Sequence, residues 1–261
     1  MCPESGNRPR LRRLDLLRIF LRSFLIQASW NYQGMLNLGF LFAIMPGLDR
    51  LYDDRKDRVK AAIRHAGFFN THPYMASYAL GATLAAEEEA IGKGDEKAFQ
   101  EVIRLKRSLC GPLGSLGDHI VWGRWRPMCA VIGVFGAALW GGWGPLIFLV
   151  LYNILHLGIR YRGIRVSYKD RLNFIDELSG PVYRLLPVIG ERAGSFIMGG
   201  LVVTFVGFYG SFTLPTRLAF LAGLLVTSYL LRTIKRFQAS HGALFVVWLS
   251  VTLFGASHWS R

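Results

Sequence analysis

The sequence predicts an all-α, polytopic membrane protein with an N-terminal amphipathic helix, re-entrant hairpin elements and C-terminal transmembrane helices. Three observations carry that reading. The chain is 52% apolar and only 18% charged over 261 residues, where a soluble domain carries about a quarter charged. Its 29 glycines and 7 tryptophans suit membrane helices and their interfaces. Finally, the net charge of +14, from 31 basic against 17 acidic residues, sits in arginines beside apolar segments, as on the cytoplasmic flanks of membrane spans. No nucleic-acid-binding motif accompanies that charge, so nucleic acid is not an expected partner.

Residues 1–13, rich in Pro and Arg, read as a disordered basic tail. The start lacks an apolar signal-peptide core, so internal segments are expected to drive insertion. Residues 14–261 read as one membrane domain, with amphipathic, re-entrant and cytoplasmic helices over 14–127 and a transmembrane bundle over 128–261. In LDLLRIFLRSFL, Leu14, Leu17, Leu21 and Phe24 fall at helical spacing beside Arg18 and Arg22. Such a helix lies on a membrane surface or packs on a partner subunit.

Gln27 to Pro46 is long enough to span a bilayer. Trp30, Asn31, Gln33 and Asn37 interrupt it, which favours a broken or re-entrant element buried in protein. Asn31 and Trp30 suit a sugar, an amide for hydroxyls and an indole face for the ring; the alternative is a helix-capping amide and an interfacial tryptophan. Asp49 to His65 reads as one charged, solvated helix. Pro73 is expected in the first turn of the next helix, capped by Thr71 or His72. The small residues from Ala76 to Ala86 favour close packing in a short re-entrant arm. Glu87, Glu88 and Glu89 then oppose the helix dipole, so arginines of a partner or water in a cleft are expected to compensate.

Residues 93–109 form a charged helix leading into GPLGSLGDHIVWGRWRP, Gly111 to Pro127. Its glycines and proline predict a bend rather than a helix, with Asp118 opening a helix from His119 to Arg126. Asp118 is either an N-cap or a carboxylate for sugar hydroxyls, since acids at membrane depth tend to be functional. After Pro127, Gly141–Pro145 divides an apolar run into two arms. Arg124 and Arg126 precede it and Arg160 and Arg162 follow, so the hairpin enters from the cytoplasm and returns there. Residues 160–192 are basic and cytoplasmic. Spans are expected over Ser195–Phe212, Leu214–Leu231 and Ala243–Trp259, placing the N-terminus inside and the C-terminus outside the plasma membrane.

Cys2, Cys110 and Cys129 form no CxxC pair and no disulfide framework. The sequence carries no P-loop, GxSxG or HExxH. The triple glutamate lacks histidines at metal-ligand spacing, so no metal, no cofactor and no catalytic residue is expected. Of the six histidines, only His119 and His72 are placed as a phosphorelay site would need, and a hydrogen-bonded structural role is expected for both.

Three stretches in register, SWNYQGMLNLGFLFAIMP (29–46), FFNTHPYMASYALGATLAAEEE (68–89) and GPLGSLGDHIVWGRWRP (111–127), closely resemble enzyme IID of the mannose/fructose/sorbose class of the bacterial sugar phosphotransferase system. The likeness continues through LYNILHLGIRYRGI (151–164). The resemblance implies a translocation channel formed with a IIC subunit, assembled as a trimer of IIC–IID pairs. It also implies a hexose substrate phosphorylated by a cytoplasmic phosphohistidine IIB protein, and no chemistry on this chain. The residues expected to bind substrate or gate are Asp118, Asn70, Thr71, Trp30, Asn31, Glu88, His119 and Trp122. Three departures bear on sugar identity and transport competence: His119 stands where a small residue or proline is usual, His72 where glutamine is common, and the segment after the 195–212 span is shorter than in the long enteric members. The functional alternative is a regulatory scaffold that recruits IIB without moving sugar. A solitary permease would show two matching halves with broken helices, and no defensible repeat is present.

Overall fold

The computed structural model describes residues 11–170 and 174–204. Residues up to Ser195 form one compact unit and those from Phe196 a second. Among the described residues all regular structure is helical. The helices are α1 (Arg13–Ser23), α2 (Asn37–Leu51), α3 (Arg55–His65), α4 (Ala76–Lys93) and α5 (Glu96–Gly117), then a π-helical stretch (Asp118–Trp125), followed by α6 (Arg126–Trp140), α7 (Trp143–Asp170), α8 (Phe174–Leu178) and α9 (Pro181–Thr204).

The amphipathic helix is present as α1. Asp15, Ile19 and Ser23 face the protein while Leu14, Leu17 and Leu21 are exposed. Ahead of it Leu11 is already buried, and its N–H donates to Tyr168 Oη at 3.1 Å. The 27–46 segment is broken as expected, but differently in detail. Turns lead to a left-handed residue at Met35 (φ 58°). The Leu36 N–H donates to Phe69 O at 2.9 Å and the Phe69 N–H to Gly34 O at 3.2 Å, so the turn is pinned to the start of the 68–75 connection. α2 begins only at Asn37 and runs through Pro46 to Leu51. The single helix expected over 49–65 is therefore two. The chain is reset at Asp53–Asp54, where the Asp54 carboxylate caps α3 by accepting the Lys56 and Asp57 N–H groups.

Pro73 does not open α4. Residues 73–75 form a turn, and the helix starts at Ala76, whose N–H reaches back to His72 O at 3.0 Å. The small residues of α4 do what their size allows. A Cβ on Gly81 would meet Ser167 Oγ at 2.1 Å, and one on Gly163 would meet Ser77 Oγ at 2.2 Å. So α4 and α7 touch backbone to backbone through this pair. Tyr78, Leu80 and Leu84 complete the core with Phe40, Ile44 and Leu48 of α2.

The glycine-rich stretch is a correction. Gly111–Gly117 is not a bend but the last two turns of α5, with Pro112 inside the helix. The helix continues with wider turns through Asp118–Trp125 into α6. Insertions of π-helix of this kind are rare and concentrate at functional sites. The apolar hairpin follows as expected: α6 and α7 are joined at Gly141 (φ 59°) and Gly142. A Cβ on Gly144 would lie 2.4 Å from Ala137 N, so the two arms pack tightly at the turn. α7, 28 residues long, is long and apolar enough to cross a membrane. α9 begins at Pro181, well before the span expected from Ser195. The spans expected over 214–231 and 243–259, and most of the proposed tail, lie outside the described residues.

Candidate functional site

A cavity of about 560 Å³ lies where the 70–72 connection faces the end of α5. One wall is Asn70, Thr71 and His72. The other is Cys110, Gly111, Gly114 and Ser115 of α5, with Asp118 and Trp122 of the π-helical stretch. Glycines at 111, 114 and 117 share one helix face. Their missing side chains open the cavity at Gly111, where nothing lies within 4 Å, and let Thr71 Oγ1 approach to 3.6 Å of the Gly114 Cβ position. At Gly117 the approach is closer still, since a Cβ there would sit 2.3 Å from His72 Cγ.

The lining is largely polar. Thr71 Oγ1 and His72 Nε2 are buried and make no hydrogen bond, a costly arrangement in an apolar surrounding. The other ring nitrogen of His72 accepts the Tyr74 N–H at 3.2 Å. Burial, reinforced by the nearby charges of Arg160 and His156, pushes the His72 imidazole down to about 4, so it is neutral at physiological pH. The Trp122 ring meets His72 edge to face at 4.9 Å between centroids. Asp118 is exposed at the rim, and partial burial raises its carboxyl above the usual range. It lies inside a continuous helix and caps nothing, so the N-cap reading of Asp118 does not hold.

Four of the eight expected site residues, Asn70, Thr71, Asp118 and Trp122, thus meet in one cavity. The others lie elsewhere. His119 turns to Arg124, its Nδ1 3.0 Å from Nη1. Asn31 holds its own turn, accepting the Gly34 N–H at 2.8 Å and donating to Asn37 Oδ1 at 3.1 Å. Trp30 is half exposed and packs on Tyr32. Glu88 accepts from Tyr168 Oη at 2.7 Å. His72 and Cys110 also line the cavity, although neither was among the expected site residues; the i, i+3, i+6 glycine spacing was the sequence signal for a smooth helix face opposite His72.

The glutamates need no partner subunit. Glu87 is fully buried and is met from α2 and α3 of its own chain. His65 Nε2 lies at 2.7 Å, Arg64 donates through Nε at 3.1 Å and Nη2 at 3.0 Å, and Tyr52 Oη donates at 2.5 Å. Glu89 pairs with Lys93 at 2.9 Å. Beneath this cluster the Lys106 ammonium donates to His65 O at 2.7 Å and Gly67 O at 3.2 Å. Burial pushes Lys106 down to about 8. No group of His, Cys, Asp and Glu among the described residues is arranged to hold a metal ion.

Comparison with known proteins agrees with this architecture. The model of the "PTS system mannose/fructose/sorbose family IID component" matches residues 10–250. The chain belongs to that family. It is similar to the mannose-specific EIID component of Escherichia coli (strain K12), with 39% identity over 76% of this chain and 70% of that protein. Similarity extends to the sorbose-specific EIID component of Klebsiella pneumoniae, at 35% identity over 72% and 68%. The fructose permease IID component of Bacillus subtilis is 34% identical over 74% and 70%. Among solved structures, one described as "Structure of membrane protein" matches with TM-score 0.70 and 30% identity, covering 96% of this chain and 97% of that one. The mannose transporter ManYZ in complex with microcin E492 matches with TM-score 0.60 and 30% identity, over 97% of both chains. This IID chain is therefore a membrane sugar-transport component with an all-helical fold shared by membrane transporter proteins.

Proposed function

We propose that this IID chain forms, with a IIC subunit, the channel that carries a hexose across the bacterial plasma membrane to a cytoplasmic phosphohistidine IIB protein. The α6–α7 hairpin enters from the cytoplasm and returns to it, α1 lies along the cytoplasmic face, α4 is a re-entrant arm, and the C-terminus is outside. The active assembly is a trimer of IIC–IID pairs, with residues 14–261 acting as one membrane domain. The observation that carries this reading is the polar cavity. In a membrane transporter fold, buried polar groups beside a cavity that make no hydrogen bond within the chain, here Thr71 Oγ1 and His72 Nε2, suit contact with a ligand or companion chain.

Asp118 is the gating or sugar-binding carboxylate of this cavity, accepting hydrogen bonds from sugar hydroxyls at its rim; Asn70, Thr71 and Trp122 support it. A charge-assisted hydrogen bond contributes about 1.5–3 kcal/mol. Asp118→Asn is therefore expected to lower hexose uptake by about 10- to 100-fold, with the IIC–IID pair purified in normal yield. Uptake at the parental level would remove Asp118 from the path.

A further inference from the structure

His72 has a feature that its ring geometry decides. Its Nδ1 accepts the Tyr74 N–H, so in the neutral ring the proton resides on Nε2. That Nε2–H is a donor; it is buried, it makes no hydrogen bond, and the residue lines the cavity. The ring is held from three sides, by Tyr74, by the edge-to-face Trp122 and by the bare backbone at Gly117. It therefore cannot swing away to find another acceptor. Beside it Thr71 Oγ1 is equally buried and unpartnered. The charge of the cavity limits what fits. Its one lining ionisable acid is Asp118, and no Lys or Arg among the described residues lines it. A phosphorylated ligand would meet a carboxylate and no cation in the lining, whereas a neutral ligand with several hydroxyls meets a donor, a hydroxyl, an acceptor and an indole.

We propose that His72 is a specificity-determining residue: its Nε2–H, with the Thr71 hydroxyl, binds one ring hydroxyl oxygen of an unphosphorylated hexose whose neighbouring hydroxyl is bound by Asp118. This rests on the transport reading above for the identity of the ligand class. It goes beyond that reading by naming the donor that selects the sugar.

The test is competition binding to the purified complex of this chain with its IIC subunit, using hexose epimers, the set of monodeoxy hexoses and a hexose 6-phosphate. The wild-type complex is expected to reject one deoxy position by about 10-fold or more, because the missing hydroxyl strands a buried donor. His72→Ala is expected to lose that discrimination selectively, to within about 2-fold, with the other positions unchanged. Thr71→Val weakens the same position, and His72→Gln, which keeps an N–H donor, retains part of it. The 6-phosphate competes more weakly than the free sugar. An unchanged deoxy profile in His72→Ala overturns the proposal, as does a complex that binds no hexose. So does a His72→Ala complex that assembles poorly while His72→Gln keeps the full profile and epimer order, since the donor then serves the IIC chain. Uptake into vesicles with IIB separates the two readings: binding with the expected profile but no uptake refutes transport and leaves the His72 assignment standing.

Discussion

Glu87 is fully buried, yet it stabilises rather than strains the fold because its charge is matched inside the chain. Burial alone would raise its carboxyl, but hydrogen bonds from His65, Arg64 and Tyr52 outweigh burial and hold it below its ordinary value. Arg64 supplies the full positive charge and lies over Phe99 at 4.4 Å. His65 is held neutral by burial and gives an Nε2–H, leaving its Nδ1 without a partner. Replacing Glu87 with Ala leaves the Arg64 charge without its carboxylate, and loss of one partner of such a pair costs about 3–5 kcal/mol. The expected result is a large fall in the thermal midpoint of the detergent-solubilised complex. The pH dependence follows from the two directions. A carboxyl held below its ordinary 4.5 stabilises the fold above that pH, and the contribution is lost as pH falls through the native value. His65 is held below 6.5, so on acidification the unfolded chain takes up a proton that the folded chain refuses. Both effects act in one direction. The thermal midpoint is expected to decline from pH 6.5 downward, steepening below 4.5, and Glu87→Gln should remove the steeper part. A midpoint that rises on acidification would contradict both assignments.

At the scale of elements, the instructive case is α5 and the π-helical stretch after it. Local propensity disfavours helix in Gly111–Gly117 by close to 1 kcal/mol per glycine, which is why the stretch reads as a bend. Packing reverses that preference. Leu113 and Ile120 are buried in the core, and the glycine face admits Thr71 and His72, contacts that only a continuous helix provides. Two substitutions with the same chemistry should therefore act in opposite directions. At Gly111 nothing lies within 4 Å of a Cβ, and Gly111→Ala is expected to stabilise by about 0.5–1 kcal/mol through helix propensity. At Gly117 a Cβ would strike the buried His72 ring, and Gly117→Ala is expected to cost about 1–3 kcal/mol from overpacking. Thermal midpoints of the two variants, measured side by side, check this, and equal shifts would mean the ring can move. Asn70, Thr71, Asp118 and Trp122, which line one cavity, were named as candidates from the sequence because polar groups beside membrane segments stand out against their surroundings. His72 was not, because whether a histidine is satisfied or orphaned depends on what packs around it. The same holds for Asn31, whose amide is engaged within its own turn by Gly34 and Asn37.

For the molecule as a whole, the N-terminal helix is joined to the membrane hairpin by one cation. Arg160 of α7 is buried, donates through Nη1 to Ser23 O and to Ser23 Oγ at 3.0 Å, and lies over the Phe24 and Tyr74 rings at 5.2 Å each. It meets the C-terminal end of α1, where carbonyls lack intrahelical partners and a positive charge is favoured. Arg160→Ala is expected to raise amide hydrogen exchange in α1 by about 10- to 100-fold, the equivalent of a lost charged hydrogen bond, while α6 keeps its protection. Protection lost equally in α1 and α6 would show that the arginine holds the whole bundle rather than this one junction.

What the sequence determined by itself is whatever depends on short stretches of chain. That covers the helical class, the two-armed apolar hairpin turning at Gly141, the amphipathic α1 and the family membership written in three registered motifs. Apolar length, periodicity and flanking charge are local quantities. The tertiary structure alone decided that Gly111–Gly117 is helix, that Glu87 finds its imidazole and guanidinium partners 22 and 23 residues away in its own chain, and that His72 faces Trp122 with a donor unused. Those outcomes turn on which surfaces meet, and packing free energy between distant segments exceeds the single-residue preferences on which a reading of the sequence rests.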